Sequence, residues 1–144
     1  MKIIVLNGPN LNLLGARDEK QYGKLTLEGI EEMLRKEFPE EQFVFFQSNI
    51  EGELIDKIQN ASKEFDGLIL NPAGYSHTSV SIRDALEVCS IPKVEVHLSN
   101  IADREDFRKH SLTASKTNGY LSGFKEFGYM AAVYLLKKIR EKND

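Results

Sequence analysis

The sequence predicts an α/β protein in which one parallel sheet carries helices on both faces. Short apolar runs alternate along the chain with segments of helical period, an order typical of β–α–β units. Two of these runs, Ile3–Leu6 and Leu68–Leu70, are apolar at every position, as expected of strands that are buried on both faces. The length of 144 residues favours a single domain, 1–144, with one core.

Five strands are predicted from the apolar runs. They are Lys2–Leu6, Gln42–Gln47, Gly67–Leu70, Lys93–His97 and Gly119–Ser122. At this length the alternation favours a flavodoxin-like layout with strand order 2-1-3-4-5. Ligands of such sheets bind at the carboxyl ends of the strands, near the switch in strand order. The residues that follow strands 1, 3 and 4 are therefore predicted to share one crevice.

Helices are predicted between the strands, where apolar residues recur every three or four positions. The helical segments are Leu27–Phe38, Glu51–Phe65, a helix that begins at Thr78 or Ser79, and Glu126–Lys142. Thr26 is placed to cap the first of them. Asp103 is predicted to cap a short turn over Arg104–Lys109.

Composition and charge narrow the class of protein. Apolar residues make up 41% and charged residues 28% of the chain, and the net charge is −3. A nucleic-acid partner is not expected, because such proteins usually carry a basic face. The lone cysteine, Cys89, predicts a buried inert thiol and no oxidising compartment. The apolar start of the chain is too short for a signal peptide or a membrane span, so a cytoplasmic protein without a membrane partner is expected.

Several common motifs are missing from the sequence. GxGxxG, GxxxxGK[ST] and GxSxG do not occur, and no Cys/His spacing resembles a zinc site. The first loop also lacks a Ser/Thr-rich cradle for a flavin phosphate. Neither a metal nor a cofactor is expected.

Polar side chains follow three of the predicted strands. The stretches are NGPN after strand 1, NPAGYSHTS after strand 3, and EVHLSN with REDFR after strand 4. Burying amides, imidazoles, hydroxyls and guanidinium groups costs free energy unless each group has a partner. A polar ligand would supply such partners, so these strand ends are the candidate site.

Most of these residues also have a structural interpretation. Asn7 and Asn10 are in a sequence that favours turns. His77 either caps the third helix or bonds a backbone carbonyl. Arg104 and Arg108, spaced four apart, are typical of a solvated charged turn.

Two pairs carry a sharper chemical interpretation. Glu95 and His97 are predicted to lie on the same face of one strand, where a carboxylate can hold an imidazole in one tautomer. A structural ion pair is the alternative. Arg17 and Tyr22 share the first loop, and a nearby Arg lets a Tyr ionise and act as a base. Otherwise Tyr22 is a surface aromatic residue.

Taken together, the groups suit one kind of reaction. A Tyr base, a His acid, amides that support an oxyanion and an Arg that clamps a carboxylate fit proton abstraction beside a carbonyl, with loss of water.

Four blocks of the sequence resemble the type II 3-dehydroquinate dehydratases. The blocks are LNGPNLNLLGARDEKQYG, LNPAGYSHTSVSIRDAL, VEVHLSNIADREDFRKHS and GYLSGFKEFGYMAAVYLL, in the order and spacing of that family. The resemblance implies a flavodoxin-like fold and cofactor-free dehydration of 3-dehydroquinate in the shikimate pathway, by anti elimination through an enolate. It also implies a homo-oligomer, a dodecamer built as a tetramer of trimers.

The resemblance implies a role for each matching residue. Tyr22 matches the base, and Arg17 its partner, on a lid of about 16–24. Asn10 matches the amide that positions a water, His97 the acid and Glu95 the carboxylate that orients it. The substrate-binding positions are matched by Asn71, His77, Asp84, Leu98, Ser99 and Arg108. Asp84 is expected to act partly across a subunit contact.

Two other functions stay open on the sequence alone. The polar crevice also suits a non-catalytic flavodoxin-like module that binds a flavin or an anionic metabolite. A third possibility is an enzyme of related fold that acts on a different hydroxy-keto acid.

Overall fold

A parallel five-stranded sheet forms the centre of the molecule in the computed structural model, which describes residues 1–16, 20 and 24–144. The strands are β1 (Lys2–Asn7), β2 (Gln42–Gln47), β3 (Gly67–Asn71), β4 (Lys93–His97) and β5 (Gly119–Ser122). Their order is β2-β1-β3-β4-β5 and every neighbouring pair is parallel. The predicted flavodoxin-like layout is confirmed. β1 and β3 each continue one residue further than predicted, to an asparagine.

Helices cover both faces of the sheet, as predicted. They are α1 (Leu27–Glu37), α2 (Glu51–Glu64), α3 (Val80–Val88) and α4 (Phe127–Asn143). The Thr26 hydroxyl caps α1 by accepting the Gly29 N–H at 3.0 Å. The Ser79 hydroxyl caps α3 by accepting the Ile82 N–H at 2.9 Å. Local hydroxyl groups thus fix the starts of α1 and α3.

Each face of the sheet has its own apolar cluster, because successive strand side chains point to opposite sides. Val5 packs with α1 and α4 on one face, and its neighbour Leu6 packs with α2 and α3 on the other. Cys89 lies in the second cluster and is 4% exposed, so the predicted buried thiol is confirmed. None of the helices in the described part of the chain is both long and apolar enough to cross a membrane.

The predicted turn over Arg104–Lys109 is wrong in detail. Two short 3-10 turns occupy this region, Ile101–Asp103 and Asp106–Lys109. Asn100 caps the first, since its side-chain oxygen accepts the Ala102 N–H at 3.2 Å. Asp103 lies inside the first turn because Asn100, three residues after the end of β4, takes the capping position.

The exits of β1 and β3 approach each other closely at Gly8. The Gly8 N–H donates to the Asn71 carbonyl at 2.8 Å. A Cβ atom at Gly8 would lie 2.6 Å from the Pro72 oxygen, a distance that no side chain tolerates. The glycine therefore allows the polar segments after β1 and β3 to meet at one edge of the sheet.

Candidate active site

A solvent-open cavity lies at the carboxyl ends of β1, β3 and β4, where the strand order predicts a ligand site. Seven of the sequence-predicted site residues line it, namely Asn10, Asn71, His77, His97, Leu98, Ser99 and Arg108. Glu95 lies directly behind one of them, His97. The crevice predicted from the strand ends is therefore present.

His97 is held in the cavity by a buried carboxylate. Its Nε2 lies 2.8 Å from Glu95 Oε2, and the Glu95 side chain is fully buried. A carboxylate oxygen accepts, so Nε2 carries the hydrogen of this bond. Nδ1 is then the ring nitrogen that remains for proton exchange with a ligand.

Two hydroxyl groups hold Glu95 from behind. Ser111 Oγ donates to Glu95 Oε2 at 3.0 Å, and Thr113 Oγ1 donates to Glu95 Oε1. Thr113 is itself fully buried. With His97 these bonds engage both carboxylate oxygens, so the orientation of the imidazole is determined by groups outside the cavity.

His77 presents a second imidazole beside the first. Its Nδ1 donates to the His110 carbonyl at 2.7 Å, which is the backbone bond that was one of its two predicted structural roles. Its ring lies 6.4 Å from the His97 ring, centroid to centroid, at an interplanar angle of 25°. The bond at Nδ1 leaves Nε2 of His77 for the cavity.

Asn71 is fixed by a buried chain of side-chain hydrogen bonds. Its Oδ1 accepts the Ala73 N–H at 3.0 Å, and its Nδ2 donates to the Tyr129 hydroxyl at 3.2 Å. That hydroxyl donates in turn to Asn7 Oδ1 at 2.5 Å. Burial raises the pKa of Tyr129, so the phenol keeps its proton.

Asn10 enters the cavity from a tightly turned loop. Its backbone is left-handed, with φ of 68°, a conformation that asparagine adopts more readily than most residues. Its N–H donates to Asn49 Oδ1 at 3.0 Å. Gln47 Nε2 ties the same loop to β2 by donating to the Gly8 carbonyl at 3.1 Å.

Two arginines give the cavity a cationic side. Arg108 Nε donates to Glu105 Oε2 at 2.6 Å, and Arg104 Nη1 donates to Ser99 Oγ at 3.4 Å. Both guanidinium groups line the cavity. The Glu105 backbone N–H and then Arg108 lower the pKa of the Glu105 carboxyl. The arrangement suits a ligand carboxylate that takes the place of Glu105 on Arg108.

The sequence places Arg104 in a candidate strand-end stretch without assigning it a role, and it does not identify Thr113 or Tyr129 as site residues. Arg104 was assigned to a solvated turn, yet its side chain is 16% exposed. Tyr129 lies in the predicted helix Glu126–Lys142, for which the sequence shows only an apolar period. The available signal was a phenol in an apolar stripe, since a buried tyrosine hydroxyl usually finds a partner.

Three predicted site residues remain, namely Asp84, Arg17 and Tyr22, and only Asp84 belongs to the described part of the chain. Asp84 lies on α3, where its side chain is 60% exposed and pairs with Arg83 at 3.1 Å. Its role across a subunit contact stays a prediction. Arg17 and Tyr22 lie outside the described residues, as does most of the predicted lid. Among residues 1–16, 20 and 24–144, no group of three His, Cys, Asp or Glu side chains could hold a metal ion.

Comparison with known proteins gives one consistent family. The family described as "Dehydroquinase class II" matches residues 1–137. A 3-dehydroquinate dehydratase of Wolinella succinogenes is 49% identical over 142 residues, which cover 96% of this chain and 85% of that protein. One from Aliarcobacter butzleri is 47% identical over 144 residues, 98% of this chain and 88% of that protein. The crystal structure of a type II dehydroquinase from Butyrivibrio crossotus superposes with a TM-score of 0.92 at 43% identity, covering 95% of this chain and 97% of that one.

Proposed function

Because this chain belongs to the class II dehydroquinase family, we propose that it dehydrates 3-dehydroquinate to 3-dehydroshikimate in the shikimate pathway. The observation that carries the proposal is the Glu95–His97 pair, bonded at 2.8 Å and facing a polar cavity with a cationic side. Dehydration of a hydroxy-keto acid requires a positioned proton donor, which the imidazole supplies. It also requires a group that binds the carboxylate, which the guanidinium group of Arg108 supplies.

The reaction begins with proton abstraction beside the ketone. Tyr22, as its phenolate, takes the proton, and Arg17 stabilises both the phenolate and the negative charge that develops on the substrate. The electron pair of the broken C–H bond forms an enolate. Asn10 positions a water that donates a hydrogen bond to the enolate oxygen.

Loss of water completes the reaction. The enolate reforms the ketone, its electron pair forms the new carbon–carbon double bond, and the carbon–oxygen bond to the hydroxyl breaks on the face opposite the first proton. His97 protonates the departing hydroxyl from Nδ1, and Glu95 stabilises the imidazolium that precedes this step.

The other residues bind the substrate. Arg108 exchanges Glu105 for the substrate carboxylate, since the Nε–H that donates to Glu105 can donate to either carboxylate. Asn71, His77 and the Leu98–Ser99 pair surround the substrate's hydroxyl groups, consistent with their places along the cavity wall.

Assembly and location complete the proposal. The protein is a cytoplasmic homododecamer, a tetramer of trimers in which Asp84 reaches a neighbouring site. Light scattering after size exclusion should then give about twelve times the 16.4 kDa chain mass. A monomer mass with full activity would contradict both the assembly and the role of Asp84.

One assay separates the dehydratase from the alternatives. We expect absorbance of the conjugated enone to rise when purified protein meets 3-dehydroquinate, and Tyr22→Phe to abolish turnover while leaving substrate binding largely intact. Tyr120→Phe, which changes an exposed tyrosine of β5 that is not in the cavity lining, should behave as the parent.

Three results would point elsewhere. A Tyr22→Phe variant with the parent rate refutes the assigned base. A flavin that copurifies, with no dehydration, would favour the binding module, a function that the comparisons do not support. Faster turnover of another hydroxy-keto acid would favour the related enzyme.

A further inference from the structure

We propose that Tyr129 is a positioning residue for substrate binding, whose hydroxyl fixes the direction in which the Asn71 side-chain amide meets the substrate. This inference rests on the proposed function, because it assumes that Asn71 contacts 3-dehydroquinate. It adds a residue from α4, which contributes no residue to the cavity lining.

The position of Tyr129 is unusual for a helix residue. Its side chain is fully buried in the apolar cluster between α4 and the sheet. Its hydroxyl nevertheless reaches two polar side chains at strand ends, Asn7 of β1 and Asn71 of β3. Both asparagines are nearly fully buried, at 4% and 3% exposed, so water is a poor substitute for the phenol as their partner.

Counting donors and acceptors fixes the direction of every bond in this chain. A neutral phenol has one hydrogen, and Asn7 Oδ1 accepts it. The phenol oxygen, its one hydrogen already donated, can then only accept from Asn71, so the Asn71 nitrogen faces Tyr129. The opposite end of the amide, Oδ1, takes the Ala73 N–H. One hydrogen of Asn71 Nδ2 is thus committed to Tyr129, and the other remains for a ligand.

The backbone around Asn71 leaves the amide little freedom. Ala73, whose N–H holds Asn71 Oδ1, has a left-handed backbone with φ of 53°, a conformation that is uncommon for alanine. The Asn71 carbonyl accepts the Gly8 N–H. Removal of the phenol would leave one hydrogen of the Asn71 amide without an acceptor. We expect the amide then to rotate toward another acceptor and to lose the orientation in which it meets the substrate.

A double-mutant cycle tests this proposal. Kinetic constants with 3-dehydroquinate are measured for the parent, Tyr129→Phe, Asn71→Ala and the double variant. We expect Tyr129→Phe to raise KM about fivefold, the effect of one misdirected hydrogen bond, with kcat changed less than about twofold. We expect the double variant to match Asn71→Ala, because Tyr129 acts through the amide that Asn71→Ala removes.

The matched control is Tyr134→Phe, which removes the hydroxyl of an exposed tyrosine on the same helix. It should leave both constants unchanged. A purely structural role for Tyr129 would lower the amount of folded protein and thus the apparent kcat, but not KM. Unchanged KM in Tyr129→Phe, or effects on KM that multiply in the double variant, would overturn the proposal.

A second variant covers the case in which Tyr129→Phe does not fold. Asn7→Ala removes the acceptor that orients the phenol and is not in the cavity lining. It should raise KM about twofold to threefold, and it should add nothing to Asn71→Ala. If KM is unchanged in Asn7→Ala, the Tyr129 hydroxyl does not orient the Asn71 amide. The parent assay keeps the two questions apart: no turnover by the parent refutes the proposed function, whereas an active parent with unaltered variants refutes only this inference.

Discussion

The two sides of the cavity are built from polar groups held in opposite ways. Its floor contains Asn71 and His97. Hydrogen bonds hold these two side chains from behind, through Tyr129 and Asn7 for the first and through Glu95 for the second, and all five residues are at most 5% exposed. Its rim consists of Arg104, Glu105 and Arg108, where the Glu105 side chain is 56% exposed.

The difference separates groups that must not move from groups that must exchange partners. A buried polar group that loses its partner bears the full cost of desolvation, so the floor keeps a single geometry. An ion pair that is exposed to water contributes little to stability, so Arg108 can release Glu105 to a ligand at small cost. We therefore expect floor substitutions to act through lost orientation, on kcat at His97 and on KM at Asn71, and rim substitutions to act on KM through lost charge.

The largest effect is expected at the acid on the floor. His97→Gln keeps a hydrogen-bond donor for Glu95, but an amide does not release a proton at neutral pH. We therefore expect kcat to fall about a thousandfold, within the range for general acid–base catalysis. The enone assay measures it. His110→Gln is the control, because the carbonyl of His110 and not its ring contacts His77. A loss of less than about tenfold in His97→Gln would mean that another group protonates the hydroxyl.

The next effect is expected at the rim. Arg108→Gln removes the charge that binds the substrate carboxylate, so KM should rise between about tenfold and about a hundredfold, as for loss of a charge-assisted hydrogen bond. Lys109→Gln is the matched control, because Lys109 is the next residue, pairs with Asp106 and is not in the cavity lining. The parent's KM should also rise with salt. Equal KM values for the two variants would remove Arg108 from the binding site.

A smaller effect is expected behind the acid. Thr113→Val deletes a hydroxyl that holds Glu95, so kcat should fall about tenfold, and unfolding free energy by about 1–3 kcal/mol for the unsatisfied acceptor. Thr117→Val, which removes a hydroxyl that bonds the backbone carbonyls of Ala114 and Gly119, should lose stability without losing kcat. Denaturant unfolding and the enone assay report the two quantities, and unchanged kcat in Thr113→Val would show that His97 is oriented without it.

The smallest effect is expected from the rim carboxylate. Hydrogen bonds from its own backbone N–H and from Arg108 lower the pKa of Glu105, so it stays charged at neutral pH and competes with the substrate. Glu105→Gln should lower KM about twofold, since one exposed pair is worth little. Asp106→Asn, which changes the more exposed carboxylate beside it, should leave KM unchanged. A higher KM in Glu105→Gln would mean that Glu105 holds Arg108 in place.

The features that could be predicted from the sequence are those set by neighbouring residues. Strand order and strand ends follow from local periodicity and general rules of parallel sheets, which is why the predicted position of the cavity was right. Glu95 and His97 were predicted to lie on one face because strand side chains alternate. Helix bounds were right to about one residue where a cap such as Thr26 marks them.

The missed residues act over distances that periodicity does not encode. Thr113 meets Glu95 from a segment 18 positions away, and Tyr129 meets Asn71 across 58 positions. Arg104 was misjudged because spacing four apart was read as one turn, whereas the chain forms two separate 3-10 turns there. Tertiary packing decides these contacts, so local propensity carries no information about them.

The bond between Tyr129 and Asn7 spans 122 positions of the chain, and this has a consequence for the newly made protein. A nascent polypeptide begins to fold from its start as it leaves the ribosome. Until position 129 has been synthesised, the amides at the ends of β1 and β3 have no phenol to meet. An incomplete chain therefore cannot yet orient Asn71 through this contact, and the substrate-binding geometry is completed only when α4 docks.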